Sequence, residues 1–139
     1  MWKALLTKLF GAGQPPVRLA ETLQSEGIVL IDEGIKGSVT YIDFRAPGRY
    51  SSWRRQWYRA SIALTETRLF ALRSASTLID VPLRDERLHR MRFSVEESGT
   101  FLVAFDASLF HADWSGTIEY RFKTEQAQLF LQKLQGHSV

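Results

Sequence analysis

Residues 45–59, RAPGRYSSWRRQWYR, place five arginines among Tyr50, Trp53, Trp57 and Tyr58 without a single carboxylate. Arginine suits oxyanions because its planar fork donates two parallel hydrogen bonds to a phosphate or carboxylate. Indole and phenol rings suit interfaces because an apolar body carries a polar edge. The segment is therefore the first candidate for binding chemistry. Arg49, Trp53, Arg54, Arg55, Trp57 and Arg59 are the residues that would perform it. The competing reading is a solvated basic loop running into a strand. A second arginine cluster, RDERLHRMR at 84–92, contains Asp85 and Glu86 and reads as self-neutralised surface.

Catalysis has fewer parts to work with. His89, His111 and His137 show no H-x-H or H-x-x-x-H spacing. His111 and Asp113 lie two apart in LFHADWSG, a hairpin-loop sequence, and read as solvated loop residues before they read as metal ligands. Glu96 with Glu97, and Asp106 with Asp113, flank loops without a base partner in register. No serine sits in a G-x-S-x-G elbow, and the GAG at 11–13 lacks the Lys-Ser/Thr of a phosphate loop. The chain has no cysteine, which excludes disulfides, thiolate metal sites and a cysteine nucleophile. The expectation is a protein that is no enzyme and uses no cofactor or metal.

Composition bounds the rest. A chain of 139 residues, 45% hydrophobic, can bury one domain's core. A net charge of +3 and a pI near 9.4 tilt it mildly toward anionic partners, well short of a nucleic-acid-binding domain. No apolar run reaches the roughly 20 residues of a spanning helix. In MWKALLTKLFGAG, Lys8 interrupts the apolar stretch and no A-x-A site follows, so no signal peptide is expected. The expected location is the cytoplasm.

Periodicity supplies the elements that must position these residues. Trp2, Leu5, Leu6, Leu9 and Phe10 follow helical spacing, and 17–26 predicts a second short helix closed by Gly27. Residues 1–27 form an N-terminal helical extension on this reading. The period then changes to two. Residues 28–32 and 38–46 are strand-like, with Gly34 and Gly37 between them, and Pro47-Gly48 signals a turn. Residues 45–56 are expected as a loop. WYRASIALT puts Tyr58, Ala60, Ile62 and Leu64 on one face. LFALR, TLIDVPL, HRMRFSVEE, TFLVAFD and TIEYRFK continue the series, making about seven half-polar strands. In TEQAQLFLQKLQG the period returns to 3.6, with Ala127, Phe130, Leu131 and Leu134 on one stripe, Thr124 as N-cap and Gly136 as stop.

The stretches IALTETRLFAL (62–72), STLIDVPLRD (76–85) and EYRFKTEQAQLFLQKL (119–134) resemble bacterial pleckstrin-homology-like (PH-like, GRAM-type) domains over roughly residues 28–135. The resemblance implies a mainly β, α+β fold: about seven antiparallel strands in two near-orthogonal sheets, with a C-terminal helix plugging one corner. Residues 28–139 would be that domain. It also implies that the loop between the first two strands, here 45–56, holds anionic head groups through Arg49, Arg54 and Arg55, with Arg59 at its base. The chain departs from the phosphoinositide signature, since its basic pair Arg54-Arg55 is adjacent and no basic-x-Arg triplet follows. The expected function is a non-catalytic PH-like binding or adaptor module engaging a protein partner or a second copy of itself. The alternative is a peripheral membrane module that binds anionic lipid through the basic-aromatic 45–59 segment and sits at the inner face of the membrane. Nucleic acid is not the expected partner.

Overall fold

The computed structural model describes residues 23–74 and 76–136. The expected helix Trp2–Phe10 and the first part of the second helix lie outside the described residues. The elements are β1 (Ile28–Ala46), β2 (Arg49–Thr65), β3 (Arg68–Arg73), β4 (Ser76–Pro82), β5 (Arg92–Val95), β6 (Phe101–Asp106), β7 (Ser115–Phe122) and α1 (Ala127–Gln135). All strand pairs are antiparallel, in the order β4-β3-β2-β1-β7-β6-β5. The seven strands form one continuous sheet that curls into a half-barrel, in place of the two near-orthogonal sheets that the resemblance implies, because β1 pairs with both β2 and β7; α1 packs on β5 and β6. Among the described residues, no helix is long and apolar enough to cross a membrane.

The expected inward faces form the core. Ala60, Ile62, Leu64, Val103, Phe105, Ile118 and Phe122 are buried together, and Val39 of β1, for which no face was expected, joins them. From α1, Ala127, Phe130 and Leu134 are buried and Leu131 packs against the core half-buried. The Phe130 ring stacks on Phe101 at 5.6 Å, so the helix closes the core through an aromatic contact worth more than its area alone.

Four boundaries differ from the sequence reading. Residues 28–32 and 38–46 are one strand, because the chain absorbs Gly34 in a bulge between Asp32 and Ile35 instead of breaking. Residues 45–56 are no loop. β1 and β2 pair up to Ala46↔Arg49, leaving only Pro47 and Gly48 as the turn. Proline presets the first turn residue, and Gly48 takes the positive φ (+76°) at the second. His89 belongs to a 3-10 turn, Glu86–Arg90, because the Asp85 carboxylate accepts from the Arg87 backbone N–H and starts that turn; β5 begins only at Arg92. Thr124 accepts from the Gln126 N–H at 3.1 Å but precedes the helix, and its hydroxyl donates to Asp32.

The LTETR turn has a partner that spacing did not reveal. Thr65 accepts from the backbone N–H groups of Thr67 and Arg68, as expected for a tight turn. The hydroxyls of Thr65 and Thr67 and the Arg68 Nε also donate to Glu26 Oε1, at 2.8, 2.8 and 3.1 Å. Arg68 grips Asp80 with its other arm. Residues 23–26 are helical, and Gly27 ends that segment with its N–H on the Gln24 carbonyl. Leu23 packs there with Phe70 and Leu72 in a second small core. Consequently Ser61 and Ala63, on the expected wet face of β2, are buried as well.

Partial burial raises the Glu26 pKa, but the hydrogen bonds from Thr67 and Thr65 and the Arg68 charge outweigh it, so the carboxyl sits below its usual range. A carboxylate depressed in the fold stabilises above the unfolded value, about 4.3, and that contribution disappears as pH falls through the folded value. Urea unfolding between pH 5 and pH 3 should therefore cost the native chain more stability than it costs Glu26→Gln; equal losses would disprove the coupling. Gly116, at φ +97°, lies where an added Cβ would collide with the Asp43 carbonyl. Gly116→Ala should lower unfolding stability by about 1–3 kcal/mol in denaturant titration.

Candidate functional site

Strand periodicity sorts the basic-aromatic segment. Within β2, Trp53, Arg55, Trp57 and Arg59 alternate onto the outer, convex face, where they pair across β1 with Ile42, Thr40, Ser38 and Lys36. β7 continues the same rungs: Thr117 beside Ile42, Glu119 beside Thr40, Arg121 beside Ser38. The result is a three-strand face. Trp53 and Trp57 stand out from it at 58% and 56% exposure.

Arg55 organises the middle of this face. Its guanidinium lies 5.1 Å from the Trp53 ring centre and 5.8 Å from that of Trp57. Its Nε donates to Thr40 Oγ1 at 2.8 Å. Thr40 is fully buried, and its one hydroxyl oxygen also accepts from Arg121 at 3.3 Å. Arg121 also donates through the same Nη1 to Glu119 at 2.9 Å and through its Nε to Glu96 at 3.1 and 3.2 Å. Burial works against the Arg121 charge, but the two carboxylates outweigh it and hold its pKa above the ordinary value. Lys36 Nζ sits over the Trp57 ring, 4.8 Å from its centre. Each cation–π contact at such a site contributes about 0.5–1 kcal/mol, enough to keep these chains from splaying.

These groups border a groove of about 330 Å³ lined by Lys36, Arg55, Trp57, Glu96, Ser98, Thr100, Arg121 and Lys123. Lys123 follows β7, and its N–H bonds to the Lys36 carbonyl, which brings the two lysines onto neighbouring strands. Ser98 and Thr100 belong to the β5–β6 turn, with their hydroxyls 3.0 Å apart. Under the face, Ser38 is fully buried and its Oγ has no hydrogen-bond partner among the described residues.

The six candidate residues do not converge on one loop. Arg54 takes the opposite face from Arg55, in register with Tyr41, because neighbours in a strand point to opposite sides. Arg49 lies at the hairpin tip with its guanidinium 5.9 Å from the Phe44 ring. Arg59 donates to the Gly34 carbonyl at 2.7 Å and so braces the β1 bulge. Only Arg55, Trp53 and Trp57 of the set act together. Lys36, Thr40, Glu96, Arg121 and Lys123 were missed. The outward alternation in TIEYRFK was legible, but the strand order that sets Arg121 beside Ser38 was not. His111 stacks on Trp114 at 3.7 Å, and Asp113 is exposed. Among the described residues, no three of His, Asp and Glu gather to hold a metal ion.

The chain is a small mainly β protein with a basic-aromatic outer sheet face, and no protein-family model and no curated protein matches its sequence.

Thr40→Val keeps the side chain's shape but removes the acceptor of Arg55 Nε and one of the two acceptors of Arg121 Nη1. It should cost about 1–2 kcal/mol of unfolding stability, with Thr40→Ser costing less because the oxygen remains. Denaturant titration of both variants checks this, and an equal loss in the two would deny the hydroxyl its role.

Proposed function

We propose that the protein is a non-catalytic binding module of the PH-like class, working in the cytoplasm, which engages a protein partner or a second copy of itself through the outer face of β1 and β2. The observation that carries this reading is the Trp53–Arg55–Trp57 ladder, with two indoles more than half exposed on paired strands. Exposing that much ring surface is costly without a use for it. Trp and Arg dominate binding hot spots because they bury large area and lose little freedom when already positioned. Here Arg55 is positioned beforehand by Thr40 and the two rings. The strand order, the closing C-terminal helix and the LTETR turn are compatible with the PH-like class.

A second reading, attachment to an anionic membrane surface, draws on the hairpin tip. There Tyr50 is 57% exposed and Arg45 lies 4.7 Å from its ring centre, with Arg49 next to it. The two readings use different residues. Sedimentation equilibrium over a range of concentrations should show self-association that Trp53→Ala/Trp57→Ala abolishes, if the partner is a second copy. Co-sedimentation with anionic vesicles at low salt should instead be weakened by Arg45→Ala/Arg49→Ala/Tyr50→Ala if the membrane reading is right. A monomer that also ignores vesicles leaves a different protein as the partner. In that case, immobilised native protein should retain a specific partner that the double tryptophan variant loses; retention by both sinks the proposal.

A further inference from the structure

We propose that the groove between β1, β2, β7 and the β5–β6 turn is a binding site for a phosphomonoester group, distinct from the hairpin tip and from the Trp53 end of the outer face. Four cations line or border it: Lys36, Arg55, Arg121 and Lys123. Of the carboxylates near them, Glu96 and Glu119 are both engaged by Arg121, while Glu97 and Glu125 border Lys123 from the adjoining hollow and do not line the groove. Among the described residues, Lys36, Arg55 and Lys123 have no carboxylate partner. The four cations and the two carboxylates bound to Arg121 sum to +2, a charge that a dianion in the groove would neutralise. The donors also suit a tetrahedral oxyanion: two ammonium groups, the Arg55 guanidinium and the Ser98 and Thr100 hydroxyls line one groove. Binding energy is gained here without first breaking an ion pair of either lysine.

Lys36 and Arg55 both lie against the Trp57 ring, 4.8 and 5.8 Å from its centre. Trp57 thus serves as a wall that holds two cations in place. A phosphate group fits the groove whether it is free, carried on a small molecule or presented at a lipid surface, and the test separates those sources.

Glu96 makes the proposal distinguishable from general attraction between a basic surface and anions. It occupies Arg121 from within the groove. Its neutral analogue, Glu96→Gln, releases that guanidinium and removes one opposing charge. The experiment is a titration of isotope-labelled full-length protein with inorganic phosphate and with glycerol phosphate at constant ionic strength, followed through the backbone amides of Ser98, Gly99, Thr100 and Lys123. Saturable shifts confined to these residues are expected. Lys36→Ala/Lys123→Ala should weaken binding about tenfold or more, and Glu96→Gln should tighten it several-fold. In parallel, vesicles carrying phosphatidic acid, a lipid phosphomonoester, are compared with vesicles carrying phosphatidylglycerol, a phosphodiester. Preference for phosphatidic acid that the double lysine variant loses assigns the site to a membrane source, whereas saturable binding of the soluble phosphates without that preference assigns it to a soluble one. Shifts that stay linear, that chloride reproduces, or that the lysine variant leaves unchanged, together with vesicle binding indifferent to the lipid, overturn the proposal. Because the lysines are not part of the Trp53–Arg55–Trp57 ladder, loss of phosphate binding in the double lysine variant leaves the partner-binding reading standing; Trp57 lines the groove, so the converse is read from Trp53→Ala alone.

Discussion

Everything on the outer face depends on the pairing of β1 with β2. The two strands remain in register from Lys36↔Arg59 to Ala46↔Arg49, apart from the bulge at the start of β1. Because side chains alternate with a period of two, a slip of one residue would send Trp53, Arg55 and Trp57 inward and bring Tyr58 and Ala60 out. Two devices prevent it. The Pro47-Gly48 turn sets the register at one end. Buried Ala60, Ile62 and Leu64, together with the Arg59–Gly34 bond beside the bulge, set it at the other.

The outer face is divided into two by what covers it. Near the start of β1, the helical residues 23–26 lie on it, and Leu23, Phe70 and Leu72 form a second core. Glu26 anchors that cover by drawing Thr65, Thr67 and Arg68 to one carboxylate oxygen. Farther along, Trp53 and Trp57 stand more than half exposed, and of the polar groups beneath them Thr40 is hydrogen-bonded while Ser38 Oγ has no partner among the described residues. The buried Thr40 hydroxyl is shared by two arginines. The same sheet thus carries a second small core at one end of its outer face and an exposed basic-aromatic surface at the other, with Arg55 and Arg121 between them held by hydrogen bonds.

Burial also shapes the inner side. Desolvation pushes the phenols of Tyr58 and Tyr120 well above their usual range, so both rings stay neutral and act as core material. Arg73 covers the Tyr58 ring at 4.8 Å with its charged end. This accounts for a tyrosine in the basic-aromatic segment that takes no part in the outer face. It also explains why a high local density of arginine and aromatics overstates the size of the site: half of such a run in a strand belongs to the other side.

Period-two alternation in the sequence was enough to identify the strands from Tyr58 onward, their inward residues, and a C-terminal helix with Ala127, Phe130 and Leu134 inside, because burial of one face imposes that pattern locally. Turn chemistry at Pro47-Gly48 and around Thr65 was legible for the same reason. What alternation cannot encode is which strand lies beside which, or how far pairing extends past a glycine. The sequence therefore suggested a loop at 45–56, where long-range pairing with β1 makes a strand, and it suggested Arg49, Arg54 and Arg55 as a group. Only the tertiary structure separated Arg54 from Arg55, joined Arg55 to Arg121 through Thr40, and set Lys36 beside Lys123, since each of those contacts joins residues that only the folded sheet makes neighbours.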